Sequence, residues 1–96
     1  MKINFNKNEE NLVISLEGRL DTTSAPELDA FLGSNLNGVK SVTVDCAELV
    51  YVSSAGLRVI LSLHKKVFGA LKLTNVQELV MEVLEITGFA DILTIE

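Results

Sequence analysis

SVTVDCAELVYVSSAGLRVILSLHKKV, residues 41–67, contains a change of period, and that change decides the fold. Val42, Val44 and Cys46 alternate with Ser41, Thr43 and Asp45, the two-residue repeat of a strand with one buried face. From Ser54 to Val67 the repeat turns helical. Leu57, Ile60, Leu61 and Val67 form a stripe widened by Val59 and Leu63, and Arg58, Ser62, Lys65 and Lys66 form the polar face. A strand over 41–46, expected to be central, thus leads through a loop into a helix over 54–67.

The same reading extends outward in both directions. Upstream, Ile3 and Phe5, then Leu12, Ile14 and Leu16, alternate on either side of the polar run from Lys7 to Asn11, which predicts a β-hairpin closed by Gly18. Ser24 with Glu27 makes a capping-box pattern and Pro26 suits a first helical turn, so a helix is expected over 25–36, burying Leu28, Phe31, Leu32 and Leu36. Downstream, a strand is expected near 71–73. A helix over 77–87 should bury Leu79, Val80, Val83 and Ile86, end at a left-handed Gly88, and precede a last strand over 91–95. The predicted order is β-β-α-β-α-β-α-β, an α/β fold. Strands separated by helices imply parallel pairings, the opening hairpin is antiparallel, and the sheet is therefore mixed. Alternation within the strands implies helices packed mainly on one face. The chain ends at its fifth strand without a terminal helix, which is expected to leave one face more open.

Composition narrows the function classes. A chain of 96 residues, 48% of them apolar, suffices for one core, so 1–96 is expected to form one domain. A formal charge of -5 argues against a nucleic-acid partner, whose phosphates call for clustered Lys and Arg. Cys46 is the one cysteine and His64 the one histidine, too few for a metal site; Cys46 reads as core and His64 as a partly covered helix residue. The N-terminus MKINFNKNEENL has no apolar run for a signal peptide or a membrane span, so a cytoplasmic protein without membrane insertion is expected.

The candidate site is the hand-over itself: Tyr51, Val52, Ser53, Ser54, Ala55, Gly56, Leu57 and Arg58. Either serine can serve simply as an N-cap, accepting from a free first-turn amide. Those same free amides, with the positive end of the helix dipole, can also stabilise a phosphate carried by a serine there. Gly56, lacking a side chain, lets another backbone approach. A serine hydrolase does not fit, because Val52 stands where a nucleophile elbow needs Gly, and His64, ten residues further along the same helix, lies about 15 Å from Ser54. No Gly-rich phosphate loop followed by Lys is present. Asp45 and Asp21 each suit a strand end or turn.

These residues resemble the STAS domain family, in particular bacterial anti-sigma factor antagonists. Gly18, Arg19, Leu20 and Asp21 with Pro26 and Leu28, the segment Tyr51 to Leu61, and Leu71 to Val76 with Ile86, Thr87, Gly88 and Phe89 carry the resemblance. It implies a regulator rather than an enzyme, with no cofactor, phosphorylated on the serine two before the Gly-Leu pair, Ser54. Asp21 and residues 53–58 (Ser53, Ser54, Ala55, Gly56, Leu57, Arg58) would face the partner. That partner would be an anti-sigma factor with a histidine-kinase-like ATPase fold, released on phosphorylation, and a phosphatase would restore binding. Many members carry Asp before the acceptor and Ser or Thr after it; here Ser53 and Ala55 stand there, which makes Ser53 an alternative acceptor. The other reading within the resemblance is an accessory subunit of a transporter or larger signalling assembly, with no phosphorylation switch. Gly56→Val is expected to harm partner binding more than folding.

Overall fold

The structure is a computed structural model that describes Met1 to Glu96, and its elements follow the expected order. β1 (Lys2–Asn8) and β2 (Asn11–Leu20) pair antiparallel across a turn of two residues, Glu9 and Glu10, tighter than the 7–11 loop the sequence suggested. Next come α1 (Ala25–Asn35), β3 (Ser41–Val52), α2 (Ser54–Lys66), β4 (Leu71–Thr74), α3 (Glu78–Ile86), a 3-10 turn (Phe89–Asp91) and β5 (Thr94–Ile95). The strands lie side by side in chain order, with β3 central and the β2-β3, β3-β4 and β4-β5 pairings parallel. Each parallel pairing requires a crossover, and crossovers are right-handed. A sheet that always grows in one direction through right-handed crossovers places all its helices on the same face.

That geometry decides which residues are buried. Leu12, Ile14 and Leu16 of β2, Val42, Val44 and Cys46 of β3, and Leu71 and Leu73 of β4 point to the helices. They join Leu28 and Leu32 of α1, Leu57, Ile60 and Leu63 of α2, and Val80 and Leu84 of α3 in one cluster of 21 buried apolar side chains. On the opposite face Val13, Ser15, Thr43 and Lys72 meet solvent or are only half covered.

Several expectations change. Gly18 does not close β2; it lies inside the strand with φ +100° at an irregularity in the pairing. β3 runs on to Val52 because it carries extra residues at two places, opposite Ser15–Glu17 and opposite Gly18–Arg19. Each extra residue shifts the alternation by one, so Leu49 and Val52 return to the core at three-residue steps and the two-residue repeat fades after Cys46. Asp45 therefore sits within the strand, where its Oδ1 accepts from the bulged Ala47 N–H at 3.0 Å and from Asn75 Nδ2 at 3.1 Å.

The capping box of α1 does not form. Ser24 is itself in a helical conformation, its Oγ accepts from Asp21 N–H and donates to Arg19 O, and Asp21 Oδ1 takes the N–H groups of Thr23 and Ser24. In α3 the inward pair is Val80 and Leu84, while Leu79 is 66% and Ile86 85% exposed. Six of its nine residues are apolar, so periodicity could not choose among the faces. Gly88 does take the left-handed conformation, φ +81°. The last strand is shorter than 91–95, because the chain first makes the 3-10 turn.

Candidate functional site

Only Ser53 separates the end of β3 from the start of α2. Its extended backbone (φ -98°, ψ 174°) turns the chain, its N–H donates to Leu20 O at 2.9 Å, and its O accepts from Leu57 N–H at 2.9 Å. Its hydroxyl accepts from Gly56 N–H at 3.3 Å, so Ser53 is the N-cap. Ser54, the next residue, is exposed and opens a helix of 13 residues whose first turn holds no acidic side chain. The positive end of the helix dipole therefore faces solvent beside a free hydroxyl.

Gly56 and Leu57 face inward. Leu57 is 3% exposed, and a Cβ on Gly56 would stand 2.6 Å from Leu20 Cγ and 2.9 Å from Leu20 O. The backbone that approaches Gly56 is thus the chain's own, which corrects the expectation for Gly56→Val. Ala55 is half-buried, and Arg58 projects into solvent one turn beyond Ser54.

Asp21 reaches the same end of the sheet, because Leu20 O, the acceptor for Ser53, immediately precedes it. The hydrogen bond from the Ser24 backbone holds the Asp21 carboxyl below the usual carboxylate range, helped by the Ser24 hydroxyl, the Thr23 N–H and the charge of Arg19, against partial desolvation. Sequence alone assigned no contact to Arg19, or to Tyr51 at the start of the hand-over segment. The Arg19 Nε lies 3.7 Å from Asp21 Oδ2, and its guanidinium carbon lies 4.2 Å from the centroid of the Tyr51 ring. The pairing Arg19↔Tyr51 depends on the bulges in β3, a register that residue types alone do not reveal. Val50, the residue before Tyr51, is also 46% exposed.

The larger concavity of the molecule lies on the open sheet face, lined by residues such as Asn6, Asn11, Val13 and Thr43, and includes neither serine. Cys46 is buried, and burial pushes its thiol up to about 12, with Asp45 adding to the shift. His64 is half-buried beside Gly69, on the last turn of α2. No group of three or more His, Cys, Asp or Glu side chains is placed to hold a metal ion. No helix is long and apolar enough to cross a membrane.

Comparison with known proteins agrees with this geometry. The family model for the STAS domain matches residues 2–96. BtrV of Bordetella bronchiseptica, described as an anti-sigma factor antagonist, is 38% identical over 96 residues, spanning 96% of this chain and 83% of its own. The anti-sigma-B factor antagonist of Bacillus subtilis is 29% identical over 98 residues, spanning 99% and 90%. Among solved structures, unphosphorylated SpoIIAA superposes with a TM-score of 0.84 at 18% identity, covering 99% of this chain and 88% of its own, and so attests the fold. With the family model covering nearly the whole chain and these relatives matched end to end, the protein belongs to the STAS domain family, among its non-enzymatic anti-sigma factor antagonists.

Proposed function

We propose that this chain is a phosphorylation-controlled antagonist: unphosphorylated, it binds an anti-sigma factor with a histidine-kinase-like ATPase fold and so frees a sigma factor. Phosphorylation of Ser54 by that partner ends the binding, and a phosphatase restores it, all in the cytoplasm. The observation that carries the reading is the unequal standing of the two serines. Ser53 is engaged as the N-cap, whereas Ser54 is exposed at the positive end of α2. A phosphate adds about -1.5 to -2 charges. Helix amides stabilise it within this chain, while at an interface it opposes docking through desolvation and like-charge repulsion.

Arg58 and Asp21 flank the acceptor. Arg58, on the same helix face one turn on, attracts an acidic partner surface before phosphorylation and offsets the phosphate afterwards. Arg58→Ala should weaken binding of the unphosphorylated protein, most at low salt, while changing folding stability by no more than about 0.5 kcal/mol. Isothermal titration at two salt concentrations beside a thermal melt measures both.

Incubation with the cognate kinase and ATP, followed by mass spectrometry of the peptide spanning residues 51–58, tests the assignment. Phosphate on Ser54, with lost affinity for the anti-sigma factor, is expected. Phosphate on Ser53 alone overturns the assignment to Ser54 and moves the switch to the alternative acceptor; phosphate on neither serine overturns it and favours an accessory subunit without a switch.

A further inference from the structure

The sheet has two edges of unequal kind. β5 contributes two residues, whereas β1 offers seven, Lys2 to Asn8, on its uncovered side. Long edges are usually blunted by proline, a bulge or inward charge. β1 has no proline and no bulge: its register with β2 is unbroken from Lys2↔Glu17 to Asn8↔Asn11, and of its two charges only Lys7, opposite the buried Leu12, stands on the inward face, near the end of the strand, leaving Ile3 to Asn6 uncharged.

The turn shows which backbone groups are free. A two-residue turn makes Asn8 and Asn11 the hydrogen-bonded closing pair, so Lys2, Asn4, Asn6 and Asn8 direct their N–H and C=O groups to β2. Ile3, Phe5 and Lys7 direct theirs outward. At the centre of that row Phe5 is 54% exposed, its ring covered on one side by Phe31 in an edge-to-face contact with centroids 4.9 Å apart.

We propose that this edge is a self-association surface, on which a second copy of the chain adds its own β1 antiparallel, Phe5 opposite Phe5, to make one continuous sheet. The strand is self-complementary in that register. Ile3 meets Lys7 of the partner copy, Asn4 meets Asn6 and Lys2 meets Asn8, so no like charges stand opposite one another. The acidic turn at Glu9 and Glu10 falls at the end where the other copy carries Lys2. The three outward residues of each copy pair fully, and the open flank of each Phe5 ring is covered by the other. A two-fold contact of this kind closes on itself and does not propagate into fibres. One strand and one ring per copy make a small interface, so the dimer is weak and concentration-dependent. None of Ser53, Ser54 and Arg58 lies on this edge, so the inference stands or falls apart from the proposed switch.

Sedimentation equilibrium over a concentration series, together with amide hydrogen exchange of the wild-type chain, tests it. The apparent mass should rise from 10.5 kDa toward twice that value. The amides of Ile3, Phe5 and Lys7 should slow as the dimer fills while those of the central strands hold constant. Phe5→Glu and Phe5→Lys, each checked for folding by circular dichroism, should each remain monomeric, and an equimolar mixture should recover the dimer. A wild-type mass of one chain at every concentration overturns the proposal. So does a dimer whose three edge amides exchange at the monomer rate, or one that survives in Phe5→Glu.

Discussion

At Gly56 the helix that carries Ser54 is locked to the sheet. An added methyl would meet both the side chain and the carbonyl oxygen of Leu20, and the oxygen cannot yield because it already accepts the Ser53 N–H. Overpacking of this kind costs about 1–3 kcal/mol. Gly56→Ala should therefore lower the unfolding free energy, read from urea denaturation, by that amount, and Gly56→Val by more, with any loss of binding following the loss of fold. Asp21 offers a pH-dependent counterpart. Its folded carboxyl is held below the ordinary value of 3.8, so ionisation is favoured in the folded state. The resulting stability is complete above that ordinary value, declines as pH falls through it, and is gone below the depressed folded value. Asp21→Asn should flatten the acid limb of a plot of urea midpoint against pH, measured from about pH 6 to pH 3. An acid limb as steep as in the wild type would assign that titration to other carboxylates.

At the scale of α2, the proposed switch gives the two serines separate roles, a structural one to Ser53 and a chemical one to Ser54. Removing an N-cap oxygen costs about 1 kcal/mol. Ser53→Ala should destabilise the chain by that much and still be phosphorylated, whereas Ser54→Ala should melt like the wild type and accept no phosphate. Chemical denaturation beside a kinase assay reads both. How far each element could be read in advance follows from its surroundings. α2 was legible almost to its ends, because Leu57, Ile60 and Leu63 recur at helical spacing against a charged face. β3 was legible only to Cys46, since its bulges replace two-residue steps by three-residue ones. In α3 apolar side chains occur nearly all round, so the sequence marked a helix but not its buried face. Ser24 with Glu27 had the right letters for a capping box, yet Asp21 reaches the Thr23 and Ser24 amides first. The pairing of Arg19 with Tyr51 depends on register between strands some thirty residues apart, information that no local pattern holds.

Over the whole molecule, one-sided packing has a chemical consequence at the central strand. Cys46 lies at the centre of the sheet and 1% exposed, covered on its inward side by helices that all cross the same face. Burial raises its thiol from 9.0 to about 12, with the Asp45 charge as a smaller contribution. Only a thiolate attacks a disulfide reagent at useful rates, and here both access and ionisation are denied as long as the layers stay together. Local fraying at β5 or the β1–β2 turn does not reach it; exposing Cys46 requires the helices to leave the sheet. Ellman's reagent should accordingly leave the native protein unmodified at pH 8 and label one thiol per chain in urea. In intermediate urea the labelling rate should track the unfolded fraction measured by circular dichroism. The raised thiol adds a further sign. Between pH 9 and pH 12 the unfolded chain releases this proton while the folded chain retains it, so stability falls with rising pH across that interval and Cys46→Ala should reduce the fall. Fast labelling of the native chain would mean that α2 and α3 separate from the sheet without global unfolding, so that the helices and the sheet do not open as one cooperative unit.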